Sequence, residues 1–215
     1  MLRHVASFGP TSVCPVLFGV VLATAAWGAS SSRRSSNDSD FEPVIESSMP
    51  EGFPPYTPVG KVEVKEYPAY RKAEAAGRIA FWTLFRHISQ ADISMTAPVE
   101  MTYQEDGPPV GREQAMAFLY GDPTLGTPGR QGGVDVSDVP PMRVVSIGVR
   151  GARTNAAVST AHNRLLDWLG EHAEQYQQDG PVRVLGYNSP FVPRDRQFFE
   201  VQIPIRERSA NAPGA

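Results

Sequence analysis

The sequence predicts an α+β domain in which two helices pack against one antiparallel sheet. Three observations predict it. Two segments carry apolar residues at helical spacing. Several others alternate with period two, as half-buried strands do. The elements also recur in one order, strand, strand, helix, strand, strand, twice over. Each ββαββ half has one amphipathic helix and a sheet that cannot cover itself. Packing both helices on one sheet buries both stripes, so a pseudo-twofold repeat is expected from element order, not from sequence identity between the halves.

The elements follow in order. Val59–Glu66 (VGKVEVKE) alternates around Val62 and Val64 and reads as a strand. Tyr67–Tyr70 is a turn, and Arg71–Ala75 returns as a second strand. Gly77 precedes the first helix, where Phe81, Leu84, Phe85 and Ile88 fall at i, i+3, i+4 and i+7. Ile93–Tyr103 is rich in strand formers, Gly107-Pro-Pro109 breaks the chain, and Met116–Tyr120 is an apolar strand ended by Gly121-Asp-Pro123. In the second half, Val134–Val136 and Met142–Val149 are strands. Thr154 is a helix N-cap. Residues 155–177 carry a stripe of Val158, Ala161, Leu165, Leu169, Ala173 and Tyr176, stopped by Gly180-Pro181. Val182–Tyr187 and Phe198–Ile205 complete the set.

Composition narrows the function classes. The 215 residues include 19 glycines and 20 prolines, which favours turns and short strands over a helical bundle. A formal net charge of −3 gives no basic surface for phosphate neutralisation, so no nucleic-acid partner is expected. The single cysteine, Cys14, leaves no intrachain disulfide and no Cys-based zinc site. Residues 1–25 have the anatomy of a signal peptide: Arg3, the apolar run Val16–Leu22, and Ala23-Thr-Ala25 at a cleavage position. A secreted or periplasmic location is therefore expected, with no stable membrane span after cleavage. Anchoring by an uncleaved N-terminus is the alternative. Residues 26–55 read as a flexible linker and extended lead-in, with Ser30–Asp40 polar and Ser-rich. Residues 56–206 form the domain, and 207–215 a disordered tail.

Several segments together resemble the SOUL/heme-binding-protein family. Ile93-Ser-Met-Thr-Ala-Pro-Val99 resembles its K-I-x-M-T-A-P-V signature, and Gly186-Tyr-Asn-Ser-Pro190 its G-Y-N-S-P motif. Arg196–Val201 resembles its R-x-N-E-V segment, Val64–Pro68 its first strand, and Ala80–Ile88 its first helix. The resemblance runs in order from about residue 59 to 205. It implies a distorted antiparallel β-barrel with two helices. It also implies a small-molecule partner, heme or another tetrapyrrole, in an apolar groove beside the first helix. Two positions depart from the family: Glu66 stands where some relatives carry a histidine, and Phe199 where the later motif has asparagine.

A porphyrin asks for an apolar face, cations for its propionates and, optionally, an axial ligand. Phe81, Leu84, Phe85 and Ile88, with Met95 and Met101 nearby, are the candidates for the face. Ile79 and Trp82, off the main stripe, give the helix surplus apolar surface. Arg78 and Arg86 are the candidate cations. His87 is the candidate axial ligand, being the histidine on that helix. An alternative class is a small-molecule (xenobiotic) binder or hydrolase built around an interior glutamate. Glu200 would then face inward with Tyr187 and Tyr120 as hydroxyl partners, a setting suited to general acid/base work. The plainer expectation for Glu200 is an ion pair with Arg194 or Arg196. A protein-interaction scaffold with a shallow groove is a third possibility. No nucleophile elbow, phosphate-binding loop or metal-ligand spacing is present.

Overall fold

Residues 41–103 and 113–208 are described by the structure, a computed structural model. The expected signal peptide, the linker up to residue 40, the Gly107-Pro-Pro109 breaker and the tail from residue 209 lie outside the described residues. Ten strands are present: β1 (Val62–Tyr67), β2 (Tyr70–Ala76), β3 (Val99–Tyr103), β4 (Glu113–Leu119), β5 (Gly129–Gln131), β6 (Val134–Val139), β7 (Met142–Arg150), β8 (Tyr176–Gln178), β9 (Arg183–Gly186) and β10 (Phe198–Glu207). Helix α1 (Ala80–Gln90) lies between β2 and β3 in the chain, and α2 (Asn155–Glu171) between β7 and β8.

All strands join one antiparallel sheet in the order β1-β7-β10-β9-β3-β4-β2-β6-β5, with β8 pairing β10 off this path. The expected barrel does not form. The run of hydrogen-bonded neighbours begins at β1 and ends at β5, three exposed residues that no described ladder joins to β1. Strands also pair across the expected halves: β1 lies beside β7 and β2 beside β6.

Period-two alternation assigns each side chain to a face. Phe199, Val201 and Ile203 of β10 point outward into a core with Val145, Ile147, Val158, Ala161 and Leu165 under α2. Ala73, Ala75, Phe118 and Val136 form a second core with Ala80, Leu84 and Ile88 of α1. The buried stripe of α1 is thus Ala80-Leu84-Ile88: Leu84 and Ile88 of the expected stripe are in it, and Phe81 and Phe85 are not. Helix α2 stops at Glu171, short of residue 177. The His172 N–H donates to Trp168 O, and Tyr176 becomes a strand residue paired with Glu207 and stacked on Trp168. The N-cap is as expected: Thr154 Oγ1 accepts from the Ala157 N–H at 3.2 Å.

The inner face of the sheet is covered differently. Among the described residues no helix lies there. The lead-in segment, residues 41–58, runs across it, and Phe41, Met49, Phe53 and Tyr56 pack on Tyr67, Val144, Leu185, Tyr187 and Phe198. The segment descends onto β7 at Gly148, where a Cβ would sit 2.1 Å from Thr57 O and 2.8 Å from Pro58 O. A glycine inside a strand permits such close backbone approach. Replacing Gly148 with alanine is expected to push residues 57–58 off the sheet and destabilise the domain by about 1–3 kcal/mol, as overpacking does. A urea unfolding curve measures the loss, and an unchanged midpoint would contradict this account of the lead-in.

Candidate functional site

The structure offers two chemically distinct surfaces, one on each face of the sheet. The first is the exposed side of α1. Ile79 and Trp82 are each 68% exposed and Phe85 43%. Phe81, Trp82 and Phe85 touch one another. Phe81 meets Trp82 edge-on at 5.4 Å between ring centroids and Phe85 in a stacked pair at 6.2 Å, and its other side packs on Phe118. Arg86 lies one helical turn beyond Trp82 and is exposed, as is Arg78.

The residues expected to form a groove do not all meet on that ridge. Phe81 and Phe85 do. Leu84 and Ile88 are core residues, 0% and 3% exposed, and Met95 packs at the edge of the same core. Met101 belongs to the core under α2. His87 lies about 160° around the helix from Phe85, since each residue advances 100°. Its Nε2 is 2.8 Å from Tyr120 Oη, and burial pulls its pKa down. It lines a cleft of about 540 Å³ with Thr83, Arg86, Gln90 and Gln131, where the β5–β6 turn approaches α1.

The second surface is the inner face, which carries a continuous buried polar network. Glu200, fully buried on β10, pairs with Lys65 Nζ of β1 at 3.0 and 3.2 Å. The expected partners Arg194 and Arg196 lie instead in a short 3-10 turn before β10. Glu200 Oε1 also accepts from the Thr57 N–H at 2.8 Å and Tyr187 Oη at 3.0 Å. Its Oε2 accepts from Ser146 Oγ at 2.7 Å and Gln202 Nε2 at 2.6 Å. Tyr187 is therefore a hydroxyl partner, and Tyr120, bound to His87, is not. Gln202 Oε1 accepts from Arg183 Nε at 2.9 Å, which links this cluster to a second carboxylate. Glu100 on β3 accepts from Arg183 Nη1 at 3.0 Å, Tyr70 Oη at 2.9 Å and Lys72 Nζ at 3.1 Å. The network crosses the sheet from β1 to β2, and Ala117 opposite Glu100 is small enough to let Lys72 reach over β4.

The electrostatics follow from burial and pairing. Burial pushes the Glu100 carboxyl up, but Arg183 and Lys72 beside it outweigh burial and hold it below the usual carboxylate value. Burial pulls the Lys65 ammonium down against the pull of Glu200. Burial pushes the Tyr187 phenol well up, and the Glu200 charge adds to it. Sequence reading missed Lys65, Tyr70, Glu100, Arg183 and Gln202. Their signal was present as polar residues at alternate positions of otherwise apolar strands, as in Val182-Arg183-Val184 and Val201-Gln202-Ile203.

The model of the SOUL heme-binding protein family matches residues 53–204. The chain belongs to that family. No curated protein matches. Among solved structures, the C-terminal domain of EcmrR is similar with a TM-score of 0.52 at 12% identity, over 69% of this chain and 98% of that one. An uncharacterized conserved protein from Listeria innocua gives 0.53 at 10%, over 70% and 95%. A hydrolase from Listeria innocua gives 0.51 at 10%, over 70% and 94%. At these identities the likeness is one of fold.

In this SOUL-family chain the two motifs fasten the lead-in segment to the inner face. Thr96 Oγ1 donates to Leu119 O at 2.6 Å, the Ala97–Pro98 peptide is cis, and the Ala97 N–H donates to Ser48 O at 3.0 Å. Asn188 Nδ2 donates to Val44 O at 2.5 Å, and the Ser189 N–H and Oγ donate to the Glu46 carboxylate at 2.6 and 2.9 Å. Glu66, at the departed histidine position, forms an ion pair with Arg143 at 2.6 Å on an exposed edge. Among the described residues no group of three His, Cys, Asp or Glu is placed to hold a metal ion, and no helix is long and apolar enough to cross a membrane.

Because the folded Glu100 pKa is depressed, its contribution is fully present above the unfolded value of about 4.3 and is lost as pH falls through the folded value. The urea midpoint is expected to drop as pH is lowered from 6 to 3. Glu100→Gln should begin lower and show a flatter dependence, and equal slopes for the two proteins would remove Glu100 as the cause.

Proposed function

We propose that this domain binds heme or a related tetrapyrrole on the aromatic ridge of α1. Membership of the SOUL heme-binding protein family supports the ligand class. The observation that carries the place is the mutual contact of Phe81, Trp82 and Phe85 with Trp82 left 68% exposed. Isolated exposed apolar residues need no explanation, but a contiguous aromatic cluster does. A flat macrocycle laid on it removes apolar area from water at about 25 cal/mol per Å². Arg86, one turn from Trp82, and Arg78, just before the helix, supply cations for propionates.

This reading needs no axial histidine, since His87 faces the other side of the helix and is engaged by Tyr120. Acid/base chemistry at Glu200 is less well supported, because Lys65 and four hydrogen-bond donors already occupy both its oxygens. We place the mature chain in a secreted or periplasmic setting on the character of residues 1–25, which N-terminal sequencing of the exported protein would check.

The purified protein is expected to give a saturable Soret change with hemin at micromolar concentration, with quenching of Trp82 fluorescence. Trp82→Ala should weaken binding about tenfold, the equivalent of one aromatic contact of about 1.4 kcal/mol. His87→Ala should leave the affinity unchanged. A titration without saturation would overturn the proposal, and a loss confined to His87→Ala would move the site to the cleft.

A further inference from the structure

The inner-face network is complete except at one atom. Arg183 is fully buried, and its Nε and Nη1 are bonded, but no acceptor reaches Nη2 among the described residues. An unsatisfied buried donor is uncommon and costly, more so on a charged group. The guanidinium also lies over the Tyr67 ring, 4.6 Å from its centroid, and Nη1 donates to Tyr70 Oη at 2.8 Å. The same two tyrosines hold one further ring. Phe53 meets Tyr67 edge-on at 4.9 Å and Tyr70 edge-on at 5.2 Å.

Phe53 is carried by a short flap with fastened ends. At one end the Glu51 N–H donates to Gly121 O at 2.9 Å, and at the other Thr57 is bonded to Glu200 and Ser146. Between them run Gly52-Phe-Pro-Pro-Tyr56. Gly52 sits at φ 73°, Pro54 and Pro55 have no N–H to lose, and the Phe53 N–H bonds only locally, to Pro50 O. Lifting the flap therefore breaks no backbone hydrogen bond between it and the sheet among the described residues. It vacates a ring-sized slot between two tyrosines that both contact the Arg183 guanidinium.

We propose that the slot under Phe53 is a second ligand site, separate from the α1 ridge, for a planar aromatic carboxylate. Its ring replaces the Phe53 ring against Tyr67 and Tyr70, and its carboxylate accepts from Arg183 Nη2. Lys65 pairs with Glu200, Lys72 with Glu100 and with Glu74 at the partly exposed rim, and Arg183 with Glu100, so the donor left for an anion is the guanidinium's Nη2. A cationic ligand would have to compete for its acceptors, since every oxygen of Glu200 and of Glu100 already takes at least one donor.

The test uses benzoate, benzyl alcohol and benzylamine as probes, titrated by calorimetry into the full chain and into Phe53→Ala. Removing the competing ring is expected to tighten benzoate binding about tenfold or more over the parent. Benzyl alcohol and benzylamine should bind Phe53→Ala at least about tenfold more weakly than benzoate, the margin of one charge-assisted hydrogen bond. Arg183→Lys in the Phe53→Ala background should remove the preference for benzoate. Should that variant not fold, the ranking of the three probes decides. No saturable benzoate binding to Phe53→Ala, or benzylamine binding as well as benzoate, would overturn the proposal. Trp82→Ala should leave benzoate binding unaltered, so failure at the ridge and failure at the slot are read separately.

Discussion

The buried ion pair between Lys65 and Glu200 constrains most of what surrounds it. A carboxylate in the middle of a strand buried on both faces is tolerated only when charge and hydrogen bonds compensate its lost hydration. Lys65 supplies the charge from the edge strand β1. Tyr187, Ser146 and Gln202 supply donors from neighbouring strands, and Thr57 supplies the last from outside the sheet. That last donor is a backbone N–H, so the lead-in must lie down on the sheet. Gly148 must then lack a side chain for the lead-in to reach. The cover of the inner face is in this sense a consequence of the charge beneath it.

The open sheet follows from the same arrangement. A sheet with polar residues on one face normally leaves that face to water or closes around it. Here a strap of residues 41–58 seals the face, with Phe53 and Tyr56 as its apolar underside. Asn188, Ser189 and Ala97 bind the strap at three separated points, Val44, Glu46 and Ser48. This gives the Asn-Ser and Ala-Pro motifs a physical role that needs no ligand: they are clasps, placed at the ends of β9 and the start of β3 where loop backbone is free to reach outward.

Much of the fold was legible because the apolar patterns were local. Leu165 and Val158 on α2, Phe199 and Val201 on β10, and the Thr154 cap each announce themselves within a few residues. The failures have long-range causes. Val62 and Val64 suggest a strand whose valines face the core, yet Val64 is 38% exposed and Lys65 is buried, because Glu200 lies across the sheet 135 residues later. Residues 172–177 continue a helical stripe, but pairing with the end of β10 captures Tyr176 for a strand. Spacing shows the stripe on α1 but not its rotation. Phe81-Leu84-Phe85-Ile88 and Ala80-Leu84-Ile88 share two residues, and only the packing of Ala73 and Val136 beneath the helix selects the second.

That rotation decides the chemistry of α1. Turning the small Ala80 inward brings the helix close to β2 and lifts the large rings of Trp82 and Phe85 out to solvent. Had Phe81 and Phe85 been the buried pair, as spacing alone allows, the helix would have stood farther from the sheet and shown water mostly Thr83, Arg86 and Gln90. Instead the aromatic surface and the charged network end up on opposite sides of the sheet, separated by the cores of Phe118, Met101 and Val201. A ligand on the ridge meets rings and peripheral arginines but no buried charge. A ligand on the inner face meets buried charge but must first move a phenylalanine. Both properties trace to the same alternation, Phe and Val outward, Glu and Gln inward, written along β10 and completed by its neighbours.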